Sequence, residues 1–149
     1  MSKVIIALLA VHFSTIVVLS CLCAPSTPLQ KICVADAAIK ARVTGRQQVS
    51  QSIHYTINVI EVLKSNQDLS NLTTLVTSTQ PGHCGLELDN NALYFLTGNI
   101  HSPRARPQDI VLTSSTCRFV LNLDKASDNE KRAVFDLFKP SLNCNQTDA

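Results

Sequence analysis

Cys21-Leu22-Cys23-Ala24-Pro25 is the stretch on which the reading of this chain turns, because it is expected to become the start of the mature protein. Residues 1–20 read as a secretory signal peptide. Lys3 supplies the positive n-region, Val4 to Leu19 is mostly apolar, and Val18 and Ser20 sit at positions −3 and −1 of a cleavage site. Cutting after Ser20 leaves Cys21 first, with a free α-amine, one residue from a second cysteine. An amine and the carbonyl of the same residue can close a five-membered chelate ring around a metal ion. The new N-terminus is therefore a candidate chemical device as well as a structural staple. The rival reading of residues 1–20 is a membrane anchor. Their apolar run contains His12, Ser14 and Thr15 and falls short of the ~20 cleanly apolar residues that a spanning helix needs. No other segment is apolar enough to span, so no membrane span is expected after cleavage, and the mature chain is expected to be soluble.

Removing residues 1–20 from the 149 leaves one domain's worth of chain, with length for a modest core. With Lys3 gone, twelve basic residues face eleven acidic ones. No basic block or aromatic-rich basic stripe appears, so nothing favours nucleic acid as a partner. Arg104 and Arg106, in a Pro/Arg loop, are weak support for any binding site. All six cysteines (21, 23, 33, 84, 117 and 144) fall in the mature part. An even number in an exported chain implies three disulfides, with about 15 pairings that sequence leaves open. Residues i and i+2 of an extended segment project to the same side, near the upper distance limit for a bridge. Cys21 and Cys23 should therefore each bond a distant cysteine and pin the N-terminus at two points. A zinc-ribbon site is disfavoured: no Cys-x-x-Cys exists, and His54, His83 and His101 do not cluster with the cysteines. Two sequons, Asn71-Leu72-Thr73 and Asn145-Gln146-Thr147, are candidate glycosylation sites.

Along the chain, Thr27-Pro28-Leu29-Gln30 has the pattern of a capped helix start, for a short helix to about Val34 carrying Cys33. Ile39, Ala41 and Val43 alternate with Lys40 and Arg42, and Gly45-Arg46-Gln47-Gln48 reads as a turn region. Ile53, Tyr55, Ile57 and Val59 alternate against His54, Thr56 and Asn58, the clearest strand pattern present. Leu72 to Thr79, Ala92 to Leu96 and Ile110 to Val120 supply three more strands, with Gly98 to Gln108 as a loop. Ser127-Asp128-Asn129-Glu130 is a second capping pattern, and Val134, Leu137 and Phe138 form an apolar stripe closed by Lys139-Pro140. Five strands between two helices predict a small β-barrel with flanking helices, and an OB-like barrel is the favoured type.

Taken together, Cys-x-Cys-x-Pro at a cleavage site, Cys33 ten residues beyond Cys23, Cys84-Gly85, Thr116-Cys117-Arg118-Phe119-Val120 and Cys144 resemble a known family. They are similar to the N-terminal, netrin-like domain of the tissue inhibitors of metalloproteinases. The resemblance covers residues 21–149, the expected domain. It implies an OB-like five-stranded barrel and the disulfides Cys21–Cys84, Cys23–Cys117 and Cys33–Cys144. It also implies a secreted, extracellular, monomeric inhibitor whose partners are zinc metalloproteinases of the matrix type, with the disintegrin type a further candidate.

In that mechanism the protein has no cofactor of its own, and the zinc belongs to the protease. A zinc protease leaves one coordination position to a water that becomes the nucleophile. The amine and carbonyl of Cys21 would displace that water, and Leu22 would enter the pocket for the substrate side chain after the scissile bond. Cys23, Ala24 and Pro25 would follow along the cleft, with Gly82, His83 and Cys84 as the other half of the wedge. Leu22 stands where the family usually carries Ser or Thr, and His83 also departs from the pattern. The alternative is a non-inhibitory extracellular netrin-like binding module. An enzyme is not expected, because Asp36, Glu61 and the histidines show no spacing that assembles a nucleophile with a base.

Overall fold

A long antiparallel hairpin dominates the computed structural model, which describes residues 21–102, 109–137 and 144. The expected signal segment, the Arg104/Arg106 loop, Phe138 to Pro140 and Asn145 lie outside the described residues. Strand β1 (Ala37–Val49) pairs with β2 (Ser52–Ser65) from Ala37↔Ser65 to Val49↔Ser52. The turn expected at residues 45–48 is therefore strand. The chain reverses later, where Ser50 takes the left-handed conformation with φ 53°. Arg46, Gln47 and Gln48 have no buried face to leave an apolar alternation, so only their pairing with residues 53–55 reveals them as strand. Three register shifts interrupt the hairpin. Bulges of this kind raise the local twist, which helps a long hairpin coil round a core.

Strand β3 (Thr74–Ser78) runs antiparallel to β2, and β5 (Val111–Thr113) lies parallel to β3. Strand β4 (Leu93–His101) pairs antiparallel with both β5 and β1. The order β1-β2-β3-β5-β4 thus returns to β1, a closed ring of five strands, with β6 (Val120–Asn122) added on β4. This is the OB-like arrangement expected, with two differences in detail. The single strand expected over Ile110 to Val120 divides into β5 and β6 around a loop that carries Cys117. Strand β4 also runs on to His101, past the expected loop start at Gly98. A side chain at Gly98 would collide with the Thr113 carbonyl oxygen, so glycine allows the close approach of β5.

The ring interior is filled by alternate residues, as period-2 strands require. Ile39, Val43, Tyr55, Leu75, Leu96 and Leu112 are almost fully buried there. Burying such side chains stabilises by roughly 1.5–3 kcal/mol each. A smaller apolar layer on the outer face joins Ala38, Phe95 and Leu123 to Val134 of helix α2 (Asp128–Leu137). That helix starts as the sequence predicts: the Glu130 carboxylate accepts from the Ser127 amide (2.8 Å) and hydroxyl (2.7 Å). Helix α1 (Pro28–Cys33) carries the full capping box between Thr27 and Gln30. Its far end is closed by Lys64, whose Nζ donates to the carbonyls of Ile32 (3.1 Å), Cys33 (2.7 Å) and Ala35 (2.6 Å). Burial pulls the Lys64 pKa down and Asp36 partly opposes this. Among the described residues no helix is long and apolar enough to cross a membrane.

Candidate functional site

Residues 21–25 form no regular element and lie exposed along the surface, and Leu22 is 88% exposed. What holds this segment is covalent. Cys21 is bonded to Cys84 with Cα atoms 4.9 Å apart, and Cys23 to Cys117 at 5.2 Å. The third bridge, Cys33–Cys144, closes at a Cα separation of 5.4 Å and ties α1 to the chain beyond α2. All three pairs are those implied by the family resemblance. The sulfurs of Cys21, Cys23, Cys84 and Cys117 lie within 4.8 Å of one another. A metal would need thiolates, and here every one of these sulfurs is in a disulfide. The cluster is a double clamp, which leaves the side chain of Leu22 between two fixed points with nothing covering it.

Cys84 owes its position to a tight approach beside β3. The turn at Pro81-Gly82-His83 uses left-handed backbone at Gly82 (φ 80°) and again at Cys84 (φ 57°). Any side chain at Gly85 would collide with the Ser78 carbonyl oxygen, so only glycine lets the chain pass here. Buried hydroxyls then strap the following residues to the barrel. Thr77 Oγ1 accepts from the Leu86 amide at 2.9 Å. Tyr55 Oη donates to the Leu86 carbonyl (3.2 Å) and accepts from the Leu88 amide (3.1 Å). Farther along, Tyr94 Oη accepts from the Asp89 amide at 3.0 Å. The Asp89 carboxylate meets Lys125 at 2.8 Å, and this contact, with help from Tyr94 and Asn122, holds its pKa below the ordinary value. On the other side, the hairpin tip supports the turn: Thr79 donates its amide to the Gln51 carbonyl at 2.9 Å, and the Gln80 and Gln51 side chains bond each other.

The site residues expected from the sequence therefore come together on one face. Cys21 to Pro25 form the exposed edge, and Gly82, His83 and Cys84 stand beside it through the Cys21–Cys84 bridge. His83 is an exposed loop residue whose amide donates to the Gln80 carbonyl at 3.2 Å. Asn71 is exposed in the turn before β3, beside the buried Leu72.

One contributor escapes sequence reasoning. Thr116 donates its amide to the Cys84 carbonyl at 2.8 Å, and its hydroxyl lies 3.3 Å from both that carbonyl and Cys21 Sγ. It ties the Cys21–Cys84 bridge to the loop that carries Cys117, and its place in the Thr116-Cys117-Arg118-Phe119-Val120 motif gives no hint of these contacts. The base of its loop is fixed by Ser114, whose buried hydroxyl donates to the Thr97 carbonyl at 2.6 Å. Asp36, considered as an acid in the sequence, is used structurally: its carboxylate accepts from the Ile100 amide at 3.1 Å.

The family model described as "Tissue inhibitor of metalloproteinase" matches residues 19–148. Metalloproteinase inhibitor 3 of Scyliorhinus torazame is 21% identical over 130 residues, covering 84% of this chain and 58% of that protein. Metalloproteinase inhibitor 4 of Rattus norvegicus is 29% identical over 94 residues, covering 56% of this chain and 42% of that protein. Metalloproteinase inhibitor 3 of Xenopus laevis is 26% identical over 86 residues, covering 54% and 40% respectively. The chain thus matches 40% to 58% of the length of these relatives. A double-clamped Cys-x-Cys edge on an OB-like ring, together with a family match over nearly the whole sequence, leads to one conclusion: this chain belongs to the tissue inhibitor of metalloproteinase family.

Proposed function

We propose that the chain is a secreted inhibitor of zinc metalloproteinases that acts through the Cys21–Pro25 edge. The observation that carries this reading is Leu22, a large apolar side chain 88% exposed between two disulfide-fixed residues. Apolar surface held out in this way suits insertion into a partner's pocket, and holding it rigid lowers the ordering cost of binding. The names of the relatives, metalloproteinase inhibitors 3 and 4, supply the class of partner.

Removal of residues 1–20 frees the Cys21 amine. That amine and the Cys21 carbonyl then chelate the protease's zinc in place of its water, while Leu22 fills the adjoining side-chain pocket. Cys23, Ala24 and Pro25 occupy the cleft as substrate-like backbone, with Gly82, His83 and Cys84 against its other wall. Only the neutral amine has a lone pair to donate, and an α-amine ordinarily titrates near 7.7–8.0. Zinc competes with a proton below that range, so inhibition weakens as pH falls there. The glycosylation expected at Asn71 suits its exposed turn.

The test compares protein beginning at Cys21 with protein carrying one added Ala before it, against a metalloproteinase panel. The extra residue turns the amine into an amide, a poor zinc ligand, and occupies the space the metal needs. Inhibition should be abolished while the melting temperature is nearly unchanged. Equal inhibition by both forms would reject chelation. No inhibition by the correctly processed, oxidised form would favour a netrin-like binding module instead.

A further inference from the structure

A concave surface continues the exposed edge beyond Pro25. Two adjoining cavities of about 570 and 440 Å³ share Ser26, Lys31 and Arg118 in their walls. The larger is bounded by Ala24, Pro25 and Ser26 on one side, by Lys31 of α1 on another and by Cys117 and Arg118 beneath. Its place follows from the fold: α1 is capped two residues beyond Pro25, and Arg118 follows the cysteine that clamps Cys23. Neither cavity has an acidic residue in its lining. Among the described residues no carboxylate forms an ion pair with Lys31 or Arg118. Two half-buried cations thus stand in one cleft without a counter-charge from the described residues.

We propose that this cleft receives an acidic side chain from the rim of the bound metalloproteinase, and so selects among proteases; this rests on the inhibitory reading above. The wall of the cleft is the same backbone that would run along the protease, so a docked enzyme necessarily brings its own surface here. Counting extended residues outward from Cys21 at about 3.3 Å each, the acid lies on the order of 15 Å from the zinc. It sits on the side that accepts residues after the scissile bond. Arg118 offers a planar fork that can hold a carboxylate through two hydrogen bonds, and Lys31 adds a point charge. Closure of the complex partly removes water from the pair, which strengthens the attraction but also costs desolvation, so the net gain in affinity is modest. The two charges also steer the encounter, so their contribution should be visible in the association rate and its salt dependence.

The experiment uses processed wild type, Lys31→Gln, Arg118→Gln and the double variant. Inhibition constants and association rates are measured over roughly 0.05–0.5 M salt, with melting temperatures as a fold control. The catalytic domains are chosen with and without an Asp or Glu at that rim position. The double variant should lose about three- to tenfold in affinity on acid-bearing proteases, mostly through association. Its salt dependence should flatten, and it should match wild type on the others. Replacing the protease acid by its amide should then cause no further loss in the double variant. Wild type that inhibits, with variants indistinguishable from it in affinity and salt dependence, overturns this proposal alone. Folded wild type that inhibits nothing overturns the inhibitory reading and this proposal together. Loss of heparin retention in the variants with unchanged inhibition would assign the cleft to a polyanion and overturn the protease contact.

Discussion

Leu96 and Leu22 are the same side chain in opposite circumstances. Leu96 has no exposed surface and stands in the wall of the strand ring, where Ile39, Leu75 and Leu112 share its interior. Leu22 is 88% exposed and belongs to no element. Burial of apolar area holds the first region, and any side chain of the right size and polarity serves it. Covalent clamps and a few directed hydrogen bonds hold the second, which leaves its apolar surface available to a partner. Under the proposed function, stability and recognition fall to different residues, and the disulfides with Thr116 are where the two regions meet.

The hardest way to break that division is to cut the clamp. Replacing Cys23 and Cys117 together by Ser removes a bridge spanning 94 residues. The loop-entropy model gives an upper cost of about 4–5 kcal/mol for such a span. The melting temperature should fall by roughly 10–25 °C. Inhibition should weaken as well, even where the protein remains folded, since residues 23–26 lose their anchor. A large stability loss with undiminished inhibition would show that the edge needs only the Cys21–Cys84 bridge.

Leu96→Ala attacks the ring alone. A fully buried leucine truncated to alanine costs about 2–5 kcal/mol through lost burial and the cavity left behind. Denaturant titration should show that loss, while the inhibition constant below the transition stays at the wild-type value. A changed constant would mean that the barrel wall is coupled to the edge more tightly than the packing suggests.

Leu22→Gly is the converse. The melting temperature should not move, but affinity for metalloproteinases should drop by about one to two decades, the equivalent of roughly 1.5–3 kcal/mol of buried leucine. Leu22→Thr should redistribute affinity, gaining on shallow or more polar pockets and losing on deep apolar ones. Identical constants for all three forms on every protease would show that Leu22 enters no pocket.

The smallest effect belongs to Asp89, at the end of the strap that follows Cys84. Hydrogen bonding and charge from Lys125, with Tyr94 and Asn122, lower its pKa, and the same contact raises that of Lys125. A lowered carboxyl value means stability that is present above the ordinary carboxylate range and lost as pH falls through the folded value. A raised lysine value means stability present below its ordinary pKa and lost as pH rises through the folded one. Both partners are exposed, so the contribution is slight. Asp89→Asn should lower the melting temperature slightly at neutral pH, and the gap should close in acid. A gap that persists at low pH would mean that the loss is one of hydrogen-bond geometry rather than charge.

Local chemistry made much of this molecule legible. The Thr27–Gln30 and Ser127–Glu130 caps, and the alternation through Ile39 to Val43 and Ile53 to Val59, are effects between near neighbours. Positions that depend on distant partners were hidden. Residues 45–48 read as a turn because their polar side chains leave no apolar alternation, and only the cross-strand partners hold them extended. Residues 110–120 read as one strand because β-branched residues mark extended chain but not where pairing stops. Cysteine order, with the family likeness, was enough for the bridges, whereas Thr116 gave no sign of its contacts.

By itself, then, the sequence determined the helix starts, the principal strand faces and the family, because each is written in residue type and spacing. Only the tertiary structure decided the closure of five strands into a ring, the meeting of Thr116 with the Cys21–Cys84 bridge and the union of Lys31 and Arg118 in one cleft. Those outcomes join residues far apart in the chain. They depend on bulges, glycine clearances and packing summed over the whole fold, and no local pattern records such a sum.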